Sequence, residues 1–304
     1  MIKGTEDTRY AFVNGIVRAR EARLLTRGHL DRLIASPVVN FSTILADTVY
    51  GGYEDIGAGF DTEATAISTF VRRYCETPEV LYMIDWPEQM HNLKVKLKEG
   101  GEHLYYPQAE SDVETWPEVA DAIAAFAIDK DPFLLSTNLD TILCKYLYEV
   151  SQFGLFFSAY YQLHFDLENI RSFFRVRQFE KSRDIFEQVF IEYGTLSKVI
   201  FTENLSNRYD VLAKSFFTTP YAHIIDRGGA YLEDHHSFLR LERLCEEMKL
   251  RFLAQARKMT FGVEPLFCYH EFKLAEIRKL RQVYWGRLNE VSIDELRESI
   301  PDVW

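Results

Sequence analysis

The sequence predicts an all-α protein, and three observations carry that prediction. Apolar residues recur at helical spacing along nearly all of the 304 residues. Few β-branched alternating runs occur, and IDKDPFLL at residues 128–135 does not read as a strand. The third observation is a repeat. MHNLK at residues 90–94, LENIR at 167–171 and LAEIR at 274–278 share one pattern, each inside a segment with helical apolar spacing.

Aligned on Leu93, Ile170 and Ile277, the copies give largely apolar columns seven and three residues earlier. The first column holds Trp86, Leu163 and His270; the second holds Met90, Leu167 and Leu274. These positions share one helical face, whereas Lys94, Arg171 and Arg278 lie about 100° further round. An apolar stripe that packs, with a cation at its edge, is the expected arrangement. Asn or Glu stands immediately before each anchor.

Taken in order, residues 10–33 space Tyr10, Val13, Val17, Leu24 and Leu25 as one long helix with a heavily charged face, broken at Gly28. Pro37 and NFST make a loop, and a short segment at 44–50 stops at Gly51-Gly52. Asp61-Thr62-Glu63 marks a helix start before Ala66, Phe70, Val71 and Tyr74, and Pro78 separates that helix from the first repeat copy. Residues 107–114 are the most linker-like stretch. A helix over 116–126 has Pro117 in its first turn. Asp131-Pro132 breaks it, and Asn138 or Asp140 starts the next helix.

Residues 147–177 contain the second copy, and the pattern continues through Ile185, Phe186, Val189 and Phe190 to Gly194. The third copy follows a helix over 238–256. Thr219-Pro220-Tyr221 repeats the order of Thr48-Val49-Tyr50 after an apolar helix. Ser292 caps a final helix, with Glu295 at the capping-box position. Three units of about 100 residues follow, at 1–106, 107–193 and 194–304.

Composition bounds the function. With 47% apolar and 27% charged residues the chain is an ordinary globular protein. Its 14% aromatic content, 23 Phe and 17 Tyr among it, requires aromatic rings buried between helices or spread over a contact surface. A net charge of −11 disfavours sequence-independent nucleic-acid binding and an anionic membrane surface. Cys75, Cys144, Cys245 and Cys268 are widely spaced and are expected to be reduced core residues. No run is long and apolar enough to span a membrane, and MIKGTEDTR lacks a signal-peptide core, so a soluble intracellular chain is expected.

Glu233-Asp234-His235-His236 resembles a ligand set, but consecutive helical residues point about 100° apart, so an exposed helix start is the better reading and no metal is expected. His270 is expected to be a hydrogen-bonded core or interface residue. The glycines at 51, 52, 57 and 59 are followed by no Lys-Ser or Lys-Thr, so no phosphate-binding loop is present. GxSxG, HExxH and paired-carboxylate spacings do not rise above chance, and no catalytic or cofactor-binding residue is assigned. From the residues alone, a helical scaffold and an enzyme with an unrecognised site both remain open.

YAFVNGIVRAREARLL at 10–25, HNLKVKLK at 91–98, DLENIRSFFRVR at 166–177 and EPLFCYHEFKLAEIRKLR at 264–281 are similar to the C subunit of the A-type and V-type ATP synthases, a family that includes the d subunit of vacuolar ATPases. The resemblance covers nearly the whole chain. Tyr269, Lys273 and Glu276 match the family's aromatic, Lys and Glu before Ile-Arg; Cys245 departs from an expected short acidic residue. The resemblance implies three similar helical bundles about a pseudo-threefold axis, forming a funnel on the cytoplasmic face of the membrane. It also implies a non-catalytic rotor that couples the D and F shaft proteins to the ring of membrane proteolipids. Arg18, Arg20 and Arg23 are candidates for the contact surface.

Overall fold

A computed structural model describes residues 4, 6–101, 105–106, 112–179 and 182–302. Most of the expected linker at 107–114 lies outside the described residues, as does the start of the expected second unit. The described chain is helical and contains no strand. The helices are α1 (Ala11–Glu21), α2 (Arg27–Ala35), α3 (Phe41–Ile44), α4 (Ile56–Tyr74), α5 (Pro78–Leu97), α6 (Pro117–Asp129), α7 (Pro132–Ser151) and α8 (Leu155–Phe179). They continue as α9 (Arg183–Val189), α10 (Lys198–Thr202), α11 (Tyr209–Ser215), α12 (Gly229–His235), α13 (Leu239–Leu253), α14 (Glu264–Leu288) and α15 (Ile293–Glu298).

The chain folds into two compact units. One joins residues 1–76 to 216–304, and the other spans 77–215. In the discontinuous unit, α14 is the central element. It packs on α4, α1 and α2, and Ile277, Leu280 and Val283 enter a core with Leu33, Phe41, Tyr50 and Phe60. Two ion-pair clusters add α13 and α15 to this unit. Arg240 on α13 donates two hydrogen bonds to Glu298 on α15, at 2.7 and 3.0 Å. Lys279 on α14 meets Glu246 at 2.6 Å and donates to the carbonyl of Ser299.

In the continuous unit, α5, α6 and α7 enclose Met90, Leu93, Val119, Leu135 and Leu139. Trp86 stacks on Tyr82 and meets Trp116 edge-on, and Trp116 stacks on Tyr146. Further along, Phe173 and Phe174 of α8 gather Phe186, Phe190 and Phe201 with ring centroids 5.3–5.9 Å apart. Much of the aromatic content is therefore core: Phe predominates among the largest fully buried side chains.

Three expected helix boundaries are corrected. Residues 10–33 form two helices, because the chain leaves the helical path after Glu21 and restarts at the Thr26–His29 capping box. The helix expected from Asp61 begins at Ile56, since Asp55 accepts from the N–H groups of Gly57 and Ala58. α7 starts at Pro132 instead of Asn138 or Asp140, because Asp131 caps Phe133 and Leu134. Pro117 stands in the first turn of α6, and Ser292 and Glu295 form the capping box of α15, both as expected.

The repeat anchors Leu93, Ile170 and Ile277 are 2%, 0% and 1% exposed. Truncating any of them to Ala should cost about 2–5 kcal/mol, from lost burial and the cavity left behind. Denaturant unfolding of the three variants checks this. Costs within about 0.5 kcal/mol at two of the sites, as surface substitutions give, would contradict their role as anchors.

Candidate functional site

Two polar columns recur on the three repeat helices α5, α8 and α14, and the one beside the anchor does similar work in each copy. One residue before the anchor stand Asn92, Asn169 and Glu276. Asn92 accepts from the N–H of Tyr106 at 2.8 Å and donates to the carbonyl of the same residue at 2.9 Å. Asn169 accepts from the N–H of Ile191 and donates to its carbonyl, both at 2.8 Å. Glu276 accepts from the N–H of Leu25 at 2.5 Å. Each copy thus fixes one residue of an irregular connection, pairing backbone groups that no helix ladder satisfies.

The position four residues before the anchor is buried and polar in all three copies: Gln89, Asp166 and Lys273. Asp166 accepts from the N–H groups of Thr195 and Leu196, each at 2.9 Å, and from the Thr195 hydroxyl. A Cβ added to Gly194 would stand 2.1 Å from the Asp166 carboxylate, so only glycine lets this connection close over it. Arg177, about three turns beyond Asp166 along α8, donates to the carbonyls of Asn204, Leu205 and Asn207.

In the α14 copy these two columns meet a tyrosine. The Lys273 ammonium donates to Glu276 at 2.7 Å and to the Tyr50 oxygen at 2.9 Å, and lies 3.3 Å from Glu63. The Tyr50 hydroxyl donates to Glu276 at 2.7 Å. Burial, reinforced by the Glu276 and Glu63 carboxylates, raises the Tyr50 phenol well above its usual range, so it stays a donor. Burial likewise pushes Tyr269 up to about 12, against the opposing effect of Arg20. Two of the three residues matching the family pattern, Lys273 and Glu276, thus share one buried hydrogen-bonded cluster with Tyr50. Every polar group in it is committed to another protein group, which suits it to holding Leu25 and Tyr50 in place.

That clamp explains the break between α1 and α2. Leu25, read from sequence as part of a long helix, gives its N–H to Glu276 across 251 positions of chain. Sequence spacing alone does not reveal such a partner. A weak signal was present nonetheless. Thr48 and Thr219, paired in the sequence by their order before Tyr50 and Tyr221, make the same turn. Each threonine hydroxyl donates to the carbonyl three residues back at 2.7 Å, and each accepts from the tyrosine N–H two residues on, at 3.2 and 3.3 Å.

The apolar columns are buried except for half-buried Trp86 and Leu274. Lys94 and Arg171 sit at the edge, pairing with Asp140 and Glu168, whereas Arg278 is exposed. Arg18 and Arg20, proposed from sequence as contact residues, are engaged within their own unit. Arg18 donates to the carbonyls of Ala256 and Met259 at 2.7 Å, and Arg20 lies 3.9 Å over the ring of Phe70. Asn14, one turn before Arg18, holds the carbonyls of Thr260 and Gly262. Arg23 is exposed.

Glu233, Asp234, His235 and His236 are exposed, but they end α12 where a helix start was expected. A turn of π-helix at Ile224–Gly228 leads straight into α12, which stops at His236 in the left-handed conformation. His235 stacks on Tyr231 with ring centroids 4.1 Å apart. Among the described residues no group of three or more His, Cys, Asp or Glu side chains is placed to hold a metal ion. His270 is 2% exposed, with Nδ1 3.2 Å from Glu271. The four cysteines are free thiols. Cys245 is fully buried, and its neighbour Glu246 supplies a carboxylate to Lys279. No helix among the described residues is long and apolar enough to cross a membrane.

Comparison with known proteins follows the same regions. A family model described as ATP synthase (C/AC39) subunit matches residues 90–299, more than half of the chain and including all three anchors. The V-type sodium ATPase C subunit of Enterococcus hirae is 21% identical over 327 aligned positions, covering 97% of this chain and 99% of the relative.

Proposed function

The chain belongs to the ATP synthase (C/AC39) subunit family, and from that membership we propose that it is a non-catalytic central-stalk rotor component of a V-type/A-type ATPase. In this reading it seats the foot of the shaft formed by the D and F proteins and rests on the membrane proteolipid ring. Shaft and ring then turn together to move protons or sodium ions. The chain works at the cytoplasmic face of the membrane as a peripheral part of the complex. Its three repeat copies mark three similar helical units, at 1–106, 107–193 and 194–304, about a pseudo-threefold axis.

The observation that carries the reading is similarity along almost its full length to a V-type sodium ATPase C subunit. The clamps support it physically. A part that transmits torque fails by shear, and in a helical protein the weak points are the irregular connections, whose backbone groups lack ladder partners. Here Asn92, Asn169, Glu276, Asp166, Arg177 and Arg18 fix such connections directly to long helices. Each hydrogen bond contributes about 0.5–1.5 kcal/mol, and about 1.5–3 kcal/mol where a charged group takes part. Close packing then transmits displacement through the helices without much loss.

Pull-down with the immobilised full chain tests the partners. The D and F proteins should be retained together, and detergent-solubilised proteolipid ring should be retained as a separate binding event. Failure to retain either, while D and F still bind one another, would refute the coupling role.

A further inference from the structure

We propose that the groove between α6 and α7 is a docking site for a basic amphipathic helix of another polypeptide. The groove encloses about 580 Å³ and lies wholly within the continuous unit. Asp121, Ala122 and Ala125 form one wall, and Leu134, Thr137 and Thr141 form the other. The spacing on both helices is that of a single face, so the two walls run along the helices as a trough. Two exposed apolar side chains extend it. Ile128 follows Ala125 by three positions and is 87% exposed, and Phe133 precedes Thr137 by four and is 47% exposed. Both stand beside the α6–α7 turn, where a soluble helix pair would normally present polar residues.

The shape selects a helix. α6 has 13 residues, giving about 20 Å of wall, and Gln188 of α9 also lines the groove. The exposed alanine at 125 lets another backbone approach closely, while Ile128 and Phe133 offer anchors for apolar side chains at helical spacing. The charge selects its sign. Glu118 and Asp121 line the groove; Glu118 is ion-paired with Lys145 at 2.8 Å, so Asp121 carries the acidic charge of the lining. Along α6, α7 and the turns beside them, residues 112–150 carry eight Asp or Glu and two Lys. An amphipathic helix with apolar residues on one face and Lys or Arg on its flanks meets both requirements. The inference does not depend on the coupling role, since such a groove would serve any member of a larger assembly.

The test uses the full chain and a labelled synthetic peptide of roughly 18 residues, long enough to form a helix, with Leu on one face and Lys on the other. A second peptide carries Glu in place of every Lys. Fluorescence anisotropy should show saturable binding of the basic peptide that weakens with salt, and at least tenfold weaker binding of the acidic one. Ala125→Phe fills the trough without changing charge, and Asp121→Lys reverses one wall; each should weaken the basic peptide at least tenfold. Asp47→Lys, in the other unit, should leave it unchanged. Far-UV circular dichroism confirms that each variant is folded, and Asp121→Lys, at an exposed position, keeps the test decisive if Ala125→Phe does not fold. No binding, equal binding of both peptides, or unchanged binding to the groove variants would overturn the proposal. So would self-association of the chain through this groove.

Discussion

Vesicles carrying the ATPase complex assembled without this chain should hydrolyse ATP at a largely unchanged rate and pump no ions. The catalytic head turns the shaft whether or not the shaft is attached to the ring, so hydrolysis needs no coupling part. Ion movement requires the ring to turn, and torque reaches the ring only through a part bound to both. Adding the chain back should restore pumping in proportion to its occupancy. Hydrolysis and ion uptake must be followed in the same vesicles, because loss of both would indicate a damaged head. Undiminished pumping without the chain would end the coupling reading. Single substitutions on the exposed surface should be mild by comparison, since a broad interface spreads its energy over many contacts beyond a few anchors.

Glu276→Ala should destabilise the discontinuous unit by about 3–5 kcal/mol, the range for breaking a buried ion pair by removing one partner. The carboxylate is 1% exposed and has three donors: the Leu25 N–H, the Tyr50 hydroxyl and the Lys273 ammonium. Truncation leaves a buried ammonium with only the more distant Glu63 to balance it, at 3.3 Å. Glu276→Gln, which keeps an acceptor and loses the charge, should fall between Ala and the unchanged chain. The double change Lys273→Met with Glu276→Leu should recover much of the loss, because it removes both buried charges together. Denaturant midpoints measure the cost, and hydrogen exchange at the Leu25 amide reports whether the clamp has opened. A cost for Glu276→Ala within about 1 kcal/mol, as for an exposed pair, would show that the cluster does not hold the α1–α2 connection.

Helical class was legible because it depends on local spacing. α5, α8 and α14 were readable from the repeat, and Pro117 and Ser292 marked helix starts through side-chain chemistry that acts within one turn. The sequence reads Asp131 as a break alone, whereas α6 ends at Asp129 with Lys130 left-handed and Asp131 begins α7 as its cap. Glu233 and Asp234 were misplaced to a helix start for a related reason. Acidic residues favour that end, but here the helix has already begun at Gly229, directly after the π-turn at Ile224–Gly228.

The candidate site was half visible. Leu93, Ile170 and Ile277 were identified as anchors because apolar periodicity signals burial, and all three are buried. The residues beside them were noticed only as a pattern of Asn or Glu before Leu or Ile. Their role required the partners Tyr106, Ile191 and Leu25, which lie 14, 22 and 251 positions away. Arg18, half-buried, has partners the sequence does not show. A charged residue on a helix reads as surface, yet its guanidinium serves carbonyls of Ala256 and Met259 that no local pattern announces.

The sequence by itself determined the helical class, the threefold recurrence of the motif, the buried anchors and the family resemblance. These follow from periodicities and residue types that act over a few turns of chain. Only the tertiary structure decided which connections are clamped, where α1 ends and α2 begins, and that Tyr50, Lys273 and Glu276 form one cluster. The physical reason is that a buried polar group must find its partner wherever the fold brings one. Its chemistry fixes that a partner is needed, and the packing of distant segments chooses which.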